Sequence, residues 1–100
     1  MIEQSPRQLS PISLHEWLLN GSPKPLLVDV REDSELDLAK FPSEVVHLPL
    51  SKAASWIKEL PEKLQENRSV VVICHSGVRS WNFGTWLIEQ GWECEVWNLE

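Results

Sequence analysis

The apolar positions of this chain fall into blocks with two different spacings. Leu26–Val30 and Val70–Ile73 are continuous branched apolar runs, interrupted only by Asp29. Runs of this kind are typical of strands buried on both faces of a parallel sheet. Val78–Gln90 instead repeats its apolar residues at helical spacing, and Gly91 follows as a C′ stop. The pattern therefore predicts buried strands connected through helices.

Weaker signals continue the same alternation along the chain. Ser13–Glu16 matches a capping box for a short first helix that ends at Asn20-Gly21. The other predicted elements are a weak helix over Arg31–Lys40, a strand over Val45–Leu48, a helix capped by Ser51 and running through Leu60, turns over Glu62–Asn67, and a last strand over Glu93–Leu99. We find no repeat or linker, so residues 1–100 are predicted to form a single α/β domain.

Charge and composition narrow the functional classes. The chain has 100 residues and a formal net charge of -6, which argues against a nucleic-acid partner. No apolar run is long enough to span a membrane, and the first residues lack the features of a signal peptide. The two cysteines do not form a disulfide framework, so we predict a cytoplasmic protein with reduced thiols. The scattered histidines and cysteines lack metal-ligand spacing, and we predict neither metal nor cofactor.

Cys74 is the candidate nucleophile, because it stands between a buried strand and a helix. Backbone N–H groups and the helix dipole stabilise an anion at such a position. The predicted cradle around the sulfur consists of His75, Ser76, Gly77, Val78 and Arg79. Gly77 permits a positive φ, and the resulting nest of amides would lower the thiol pKa from its free value of about 8.5.

The chemistry that this loop favours is sulfur transfer. We expect His75 to point away from the sulfur, which leaves Cys74 without a general base. A thiolate in a cradle can attack a sulfane sulfur, hold it as a persulfide and give it to an acceptor. Acyl transfer is less favoured, because it needs that base.

At these residues the chain resembles the rhodanese family. The resemblance is carried by Ile12–Trp17, Leu27–Glu32, Leu48–Leu50, Val72–Ser80 and Gly91–Trp92. It implies an open, mainly parallel sheet of about five strands with helices on both faces. It also implies a sulfurtransferase that uses thiosulfate or a similar small anion, with Cys74 as sulfur carrier and possibly a protein as donor or acceptor. Asp29, Arg31 and Ser80 are expected to support the site.

Two departures from the family change the expectations. Lys40–Val45 stands where the family has Gly-His-Ile-Pro-Gly-Ala, so the pocket wall is expected to differ. The sequence stops at Leu99-Glu100, where the family continues into a final helix. We therefore expect this C-terminal helix to be absent, with an exposed apolar patch that favours self-association.

Two other functions remain open. Phosphatases with a Cys-x5-Arg loop use a similar thiolate, but Cys74 and Arg79 enclose only four residues, which gives a smaller cradle. A non-catalytic binding or redox-sensing module would use the same reactive thiol. Individual residues also have simpler interpretations: Cys94 as a small buried hydrophobe, Asp29 as a structural carboxylate, and Arg79 as the partner of a surface carboxylate. The charges of Arg31–Asp37 are predicted to be a solvated helix face.

Overall fold

A five-stranded parallel sheet forms the centre of the molecule. The computed structural model describes residues 5–39, 41–64 and 68–100. The strands are β1 (Arg7–Leu9), β2 (Leu26–Asp29), β3 (Val46–His47), β4 (Val70–Ile73) and β5 (Val96–Leu99). Their order is β1-β5-β4-β2-β3, and every neighbouring pair is parallel. The prediction of an open parallel sheet of about five strands is confirmed.

Helices cover both faces of the sheet, as predicted. They are α1 (Pro11–Asn20), α2 (Asp33–Leu38), α3 (Ala53–Trp56), α4 (Leu60–Lys63) and α5 (Val78–Glu89). One apolar cluster joins Leu14 of α1 to Leu27 and Val71 of the sheet. A second cluster on the other face joins α3, α4 and α5 to alternate residues of β2 and β4. The period-two alternation of strand side chains supplies both clusters from the same strands.

The central strand β4 fixes the position of everything that follows it. All four of its residues are buried, and it pairs with β2 on one side and β5 on the other. The chain leaves β2 towards β3 and leaves β4 towards β5, so the connections diverge to opposite edges of the sheet. Such a divergence opens a crevice at the carboxyl ends of the two strands, where open α/β sheets bind ligands.

The first helix begins one turn earlier than predicted. Its N-cap is Ser10, whose Oγ accepts a hydrogen bond from the Ser13 N–H at 3.1 Å. The capping box at Ser13–Glu16 is therefore wrong, because Pro11 already provides the fixed φ of a first helical residue. The helix ends at Gly21 as predicted. A Cβ at Gly21 would lie 2.2 Å from Cδ1 of Trp17, which excludes larger residues there.

The other predicted boundaries differ mostly by a few residues. The structure shortens the weak helix to α2 and the strand over Val45–Leu48 to two residues. It divides the helix after Ser51 into α3, the start of α4, and two 3-10 turns at Leu50–Lys52 and Ile57–Glu59. It begins the last strand at Val96, so Cys94 is not a strand residue.

Two predictions near α5 and α4 have different outcomes. The helix over Val78–Gln90 and its stop at Gly91 are confirmed, since Gln90 is the C-cap and Gly91 has a φ of 95°. The turns predicted over Glu62–Asn67 lie partly outside the described residues, as does Lys40 of the altered pocket wall. The strand β1 was not predicted, because its three residues include only one buried side chain.

The surface of α1 carries exposed apolar side chains. Ile12 is 74% exposed and Leu19 is 64% exposed. A groove of about 570 Å³ lies beside them and reaches Phe41 and Leu99. Among the described residues, no helix follows β5. The apolar surface is therefore present, while self-association stays a prediction.

Candidate active site

The carboxyl ends of the central strands gather the candidate site residues at one edge of the sheet. Asp29 is the last residue of β2, and His47 is the last residue of β3. Cys74 directly follows β4, and Asn98 lies in the final turn of the neighbouring strand β5. Because all these strands run parallel, their side chains meet in the crevice between β2 and β4.

The loop after β4 folds around the sulfur of Cys74. The backbone N–H of Gly77 donates to Sγ at 3.0 Å, and the N–H of Ser80 donates to it at 3.3 Å. Gly77 makes this path possible with a φ of 85°, in the left-handed region that favours glycine. The loop then enters α5 directly, so the sulfur faces the positive end of the helix dipole.

These contacts favour the ionised form of the thiol. Burial alone would raise the pKa of Cys74, because a buried charge loses hydration. The Ser80 hydroxyl and the backbone N–H groups of Ser80, Ser76 and Gly77 outweigh burial and lower the pKa below its ordinary value. The site therefore holds more thiolate at neutral pH than an isolated cysteine does.

A buried amide fixes the loop from the neighbouring strand. Asn98 is only 2% exposed, and its Nδ2 donates to the Gly77 carbonyl and to Oε1 of Gln8, each at 3.1 Å. Its Oδ1 accepts from the hydroxyl of the fully buried Ser80. Sequence analysis missed Asn98, although asparagine is unusual in a buried apolar strand and needs partners there.

The Ser80 hydroxyl faces two acceptors and has one proton to donate. Its Oγ lies 3.2 Å from the sulfur of Cys74 as well as against Oδ1 of Asn98. When the thiol is protonated, its S–H can donate to Ser80 while Ser80 donates to Asn98. When the thiol is ionised, the sulfur becomes an acceptor and competes for the hydroxyl proton.

Arg79 is held away from the sulfur by a carboxylate of α2. Its two terminal nitrogens donate to the two oxygens of Glu35, each at 2.7 Å. Arg79 and the backbone N–H of Glu32 lower the pKa of Glu35 to about 2. The predicted solvated face over Arg31–Asp37 is therefore wrong at Glu35, whose side chain is only 28% exposed.

Asp29 and Arg31 form a second ion pair beside the first. The Asp29 carboxylate is fully buried and accepts from Nη2 of Arg31 at 2.8 Å, from its Nε and from its backbone N–H. Nη1 of Arg31 donates to the Ala39 carbonyl, and Nε2 of His47 donates to the Arg31 carbonyl. The pair thus braces the turn between β2 and α2, and no contact to Cys74 was found within the described residues.

The remaining cradle residues contribute mainly through their backbone. The side chains of His75 and Ser76 are exposed, and Val78 is 62% exposed. Ser76 supplies a backbone N–H to the sulfur, as described above. The loop therefore offers amides and one hydroxyl to Cys74, and its outward side chains line the approach from solvent.

Comparison with known proteins identifies the family. The model of the rhodanese-like domain matches residues 11–100. The chain is 34% identical over 73 residues to the Arabidopsis thaliana rhodanese-like/PpiC domain-containing protein 12, covering 73% of this chain and 24% of that protein. It is 30% identical over 94 residues to the tRNA uridine(34) hydroxylase of Enterococcus faecalis, covering 92% of this chain and 29% of that protein. This chain belongs to the rhodanese-like domain family.

Solved structures share the fold. A Staphylococcus saprophyticus protein superposes with a TM-score of 0.73 at 23% identity, over 94% of this chain and 86% of that one. The single-domain sulfurtransferase of Saccharomyces cerevisiae superposes with a TM-score of 0.69 at 21% identity, over 98% and 87% of the two chains. The chain spans about a quarter of the curated relatives it matches. Among its described helices, none has the length and apolar character needed to cross a membrane.

Proposed function

We propose that this protein is a sulfurtransferase that carries a sulfane sulfur as a persulfide on Cys74. The observation that carries the proposal is the set of N–H donors and one hydroxyl around a sulfur whose pKa is lowered. A sulfur held in this way is a nucleophile without needing a neighbouring base. Family membership supports the same chemistry.

The transfer proceeds in two balanced steps. The Cys74 thiolate attacks the outer sulfur of a donor such as thiosulfate, the donor's S–S bond breaks, and sulfite leaves with the bonding electron pair. The product is a Cys74 persulfide. An acceptor nucleophile, such as cyanide or a thiolate, then attacks the outer sulfur and regenerates the Cys74 thiolate. The amides that favour the thiolate also favour the anionic persulfide.

Phosphate chemistry receives less support from the same geometry. A phosphatase loop uses its arginine to hold phosphate oxygens, and both terminal nitrogens of Arg79 are engaged by Glu35. A binding or redox-sensing module remains the alternative, since a reactive thiol also serves those roles.

A role on tRNA is suggested only by the names of some relatives. That activity belongs to proteins of which this chain spans less than a third. The net charge of -6 gives no electrostatic attraction to nucleic acid. We propose the cytoplasm as location, because a reducing compartment keeps Cys74 available as a thiolate.

The test is direct detection of the sulfur on its carrier. The folded protein is incubated with thiosulfate or with cysteine persulfide, and peptides are analysed by mass spectrometry. We expect Cys74 to gain the mass of one sulfur atom and to lose it on addition of cyanide. Cys74→Ser should abolish the signal, and Cys94→Ser should retain it. If neither donor modifies Cys74 in the folded protein, the proposed function is wrong.

A further inference from the structure

The charged groups beside the Cys74 loop form closed pairs. Arg79 is held by Glu35, and Arg31 is held by Asp29. Lys52, at the far side of α2, is paired with Asp33. In this part of the described structure each cation already has a carboxylate partner.

A fourth carboxylate makes this surface net negative. Glu32 accepts a hydrogen bond from the Ser51 N–H at 3.1 Å, and its charge acts on Arg79 and Lys52. The three cations therefore face four carboxylates, before the charge of the thiolate itself is added. An approaching dianion meets repulsion here, while a neutral donor does not.

We propose that Glu35 is a specificity-determining residue of this site, and that the sulfane sulfur arrives as an alkyl persulfide rather than as a dianionic inorganic donor. This inference rests on the proposed function. Glu35 acts through Arg79, since its two oxygens engage both terminal nitrogens of the guanidinium that lies nearest the loop. A bidentate pair of this kind is geometrically specific, and it withholds the charge that an anionic donor would need.

The persulfide reaction balances without a further reactant. The Cys74 thiolate attacks the outer sulfur of R–S–SH, and the bond between the two donor sulfurs breaks. The inner sulfur leaves as the thiolate R–S⁻ with the electron pair, and the proton remains on the transferred sulfur. One negative charge is present before and after the step, so no additional cation is needed to neutralise a departing dianion.

The substitution Glu35→Gln tests this assignment with little structural change. Oε1 of Glu35 also accepts from the Glu32 N–H at 3.0 Å, and glutamine retains that oxygen. Glutamine removes the negative charge and one acceptor of the clamp, which releases Arg79 towards the loop. Glu32→Gln is the matched control, because it removes one nearby charge and leaves the Arg79 clamp in place.

The experiment measures persulfide formation on Cys74 with thiosulfate and with cysteine persulfide for the wild type and both variants. We expect the wild type to react faster with cysteine persulfide. In Glu35→Gln, kcat/KM for thiosulfate should rise about tenfold, mainly through KM, and the gain should shrink at high salt. The rate with cysteine persulfide should change less than about twofold, which also shows that the site is intact.

Each other outcome contradicts a particular part. Faster wild-type reaction with thiosulfate overturns the donor class. Equal thiosulfate gains in Glu35→Gln and Glu32→Gln show a general charge effect and overturn the role of Glu35. Loss of both donor reactions in Glu35→Gln shows that Glu35 is only structural. If the wild type reacts with neither donor, the proposed function itself fails, and the inference fails with it.

Discussion

Cys74 and Cys94 lie at opposite ends of α5 and differ in what surrounds their sulfur atoms. Both cysteines are free and partly buried. Cys74 precedes the first turn of the helix and accepts N–H groups from Gly77 and Ser80. Cys94 follows the last turn and lines a surface cavity of about 520 Å³, together with Arg7, Ile88, Gly91, Trp92, Glu93, Glu95 and Val96.

The comparison shows that exposure alone does not make a reactive thiol. A helix favours negative charge at its amino-terminal end and disfavours it at its carboxyl-terminal end. Cys74 occupies the favourable end of α5, whereas Cys94 stands between Glu93 and Glu95 beyond the other end. The two cysteines therefore provide an internal control, because one sample reports both reactivities under identical conditions.

The largest expected effect is a difference in alkylation rate between the two thiols. At about pH 7, iodoacetamide should modify Cys74 at least about tenfold faster than Cys94, as measured by mass spectrometry of the digested protein. The rate for Cys74 should rise with pH and level off below the ordinary cysteine value of about 8.5, because its pKa is lowered. Equal rates for the two residues would contradict our interpretation of the loop.

The next largest effect concerns two glycines that end or begin α5 with a positive φ. Gly77 has a φ of 85°, and Gly91 has a φ of 95°. Alanine at either position should cost about 1–2 kcal/mol of stability, measured by urea unfolding, because both require the left-handed region. Only Gly77→Ala should also slow alkylation of Cys74, since that glycine holds the amides against the sulfur.

Gly91→Ala is the matched control for backbone strain. A Cβ at Gly91 would meet no atom within 4 Å, so its cost is conformational only. If Gly91→Ala slowed Cys74 as much as Gly77→Ala, general loosening of α5 would explain the result. The local cradle would then not be the source of the reactivity.

The part of the site that could be predicted from sequence is contiguous. The apolar run of β4, Cys74, Gly77 and the start of α5 follow one another, so local propensity and turn chemistry were sufficient to order them. The sheet followed from the same alternation of strands and helices. The N-terminus of α1 was misplaced because Ser10 and Ser13 both fit an N-cap, and only the start at Pro11 distinguishes them.

The side-chain partners could not be predicted in this way, because the fold brings them together from distant positions. Arg79 and Glu35 are 44 positions apart, and Ser80 and Asn98 are 18 apart. Asn98 and Gln8 are separated by 90 positions and meet only because β1 pairs with the last strand. A single sequence shows the charge of Glu35 and the polarity of Asn98, but the sheet order decides which residues face them.

A smaller effect distinguishes side-chain from backbone contributions within the loop. Ser80→Ala removes the hydroxyl that lies 3.2 Å from the sulfur and should raise the pKa of Cys74. Alkylation of Cys74 at about pH 7 should slow roughly threefold to tenfold, while the rate at Cys94 stays constant. Ser76→Ala is the control, because Ser76 contributes its backbone N–H and should change the rate less than about twofold. A larger effect of Ser76→Ala than of Ser80→Ala would overturn this division.

The smallest effect is confined to acid and concerns the clamp between Glu35 and Arg79. The pKa of Glu35 is lowered to about 2 in the folded protein, against about 4.3 for an unperturbed glutamate. A carboxyl with a lowered folded pKa stabilises the fold above its unfolded pKa, and this contribution disappears as the pH falls towards its folded pKa. The contribution of Glu35 should therefore be complete above about pH 4.3 and lost progressively towards about pH 2.

Urea unfolding of the wild type and of Glu35→Gln across that acid range measures this contribution. The stability difference between them should be small near neutrality, because a partly exposed ion pair is screened by solvent, and it should narrow as the pH falls. Arg79→Met should remove the same pH dependence, and the double variant should show no additional change. A stability difference that stays constant with pH would mean that Glu35 contributes through packing, and the electrostatic clamp on Arg79 would be contradicted.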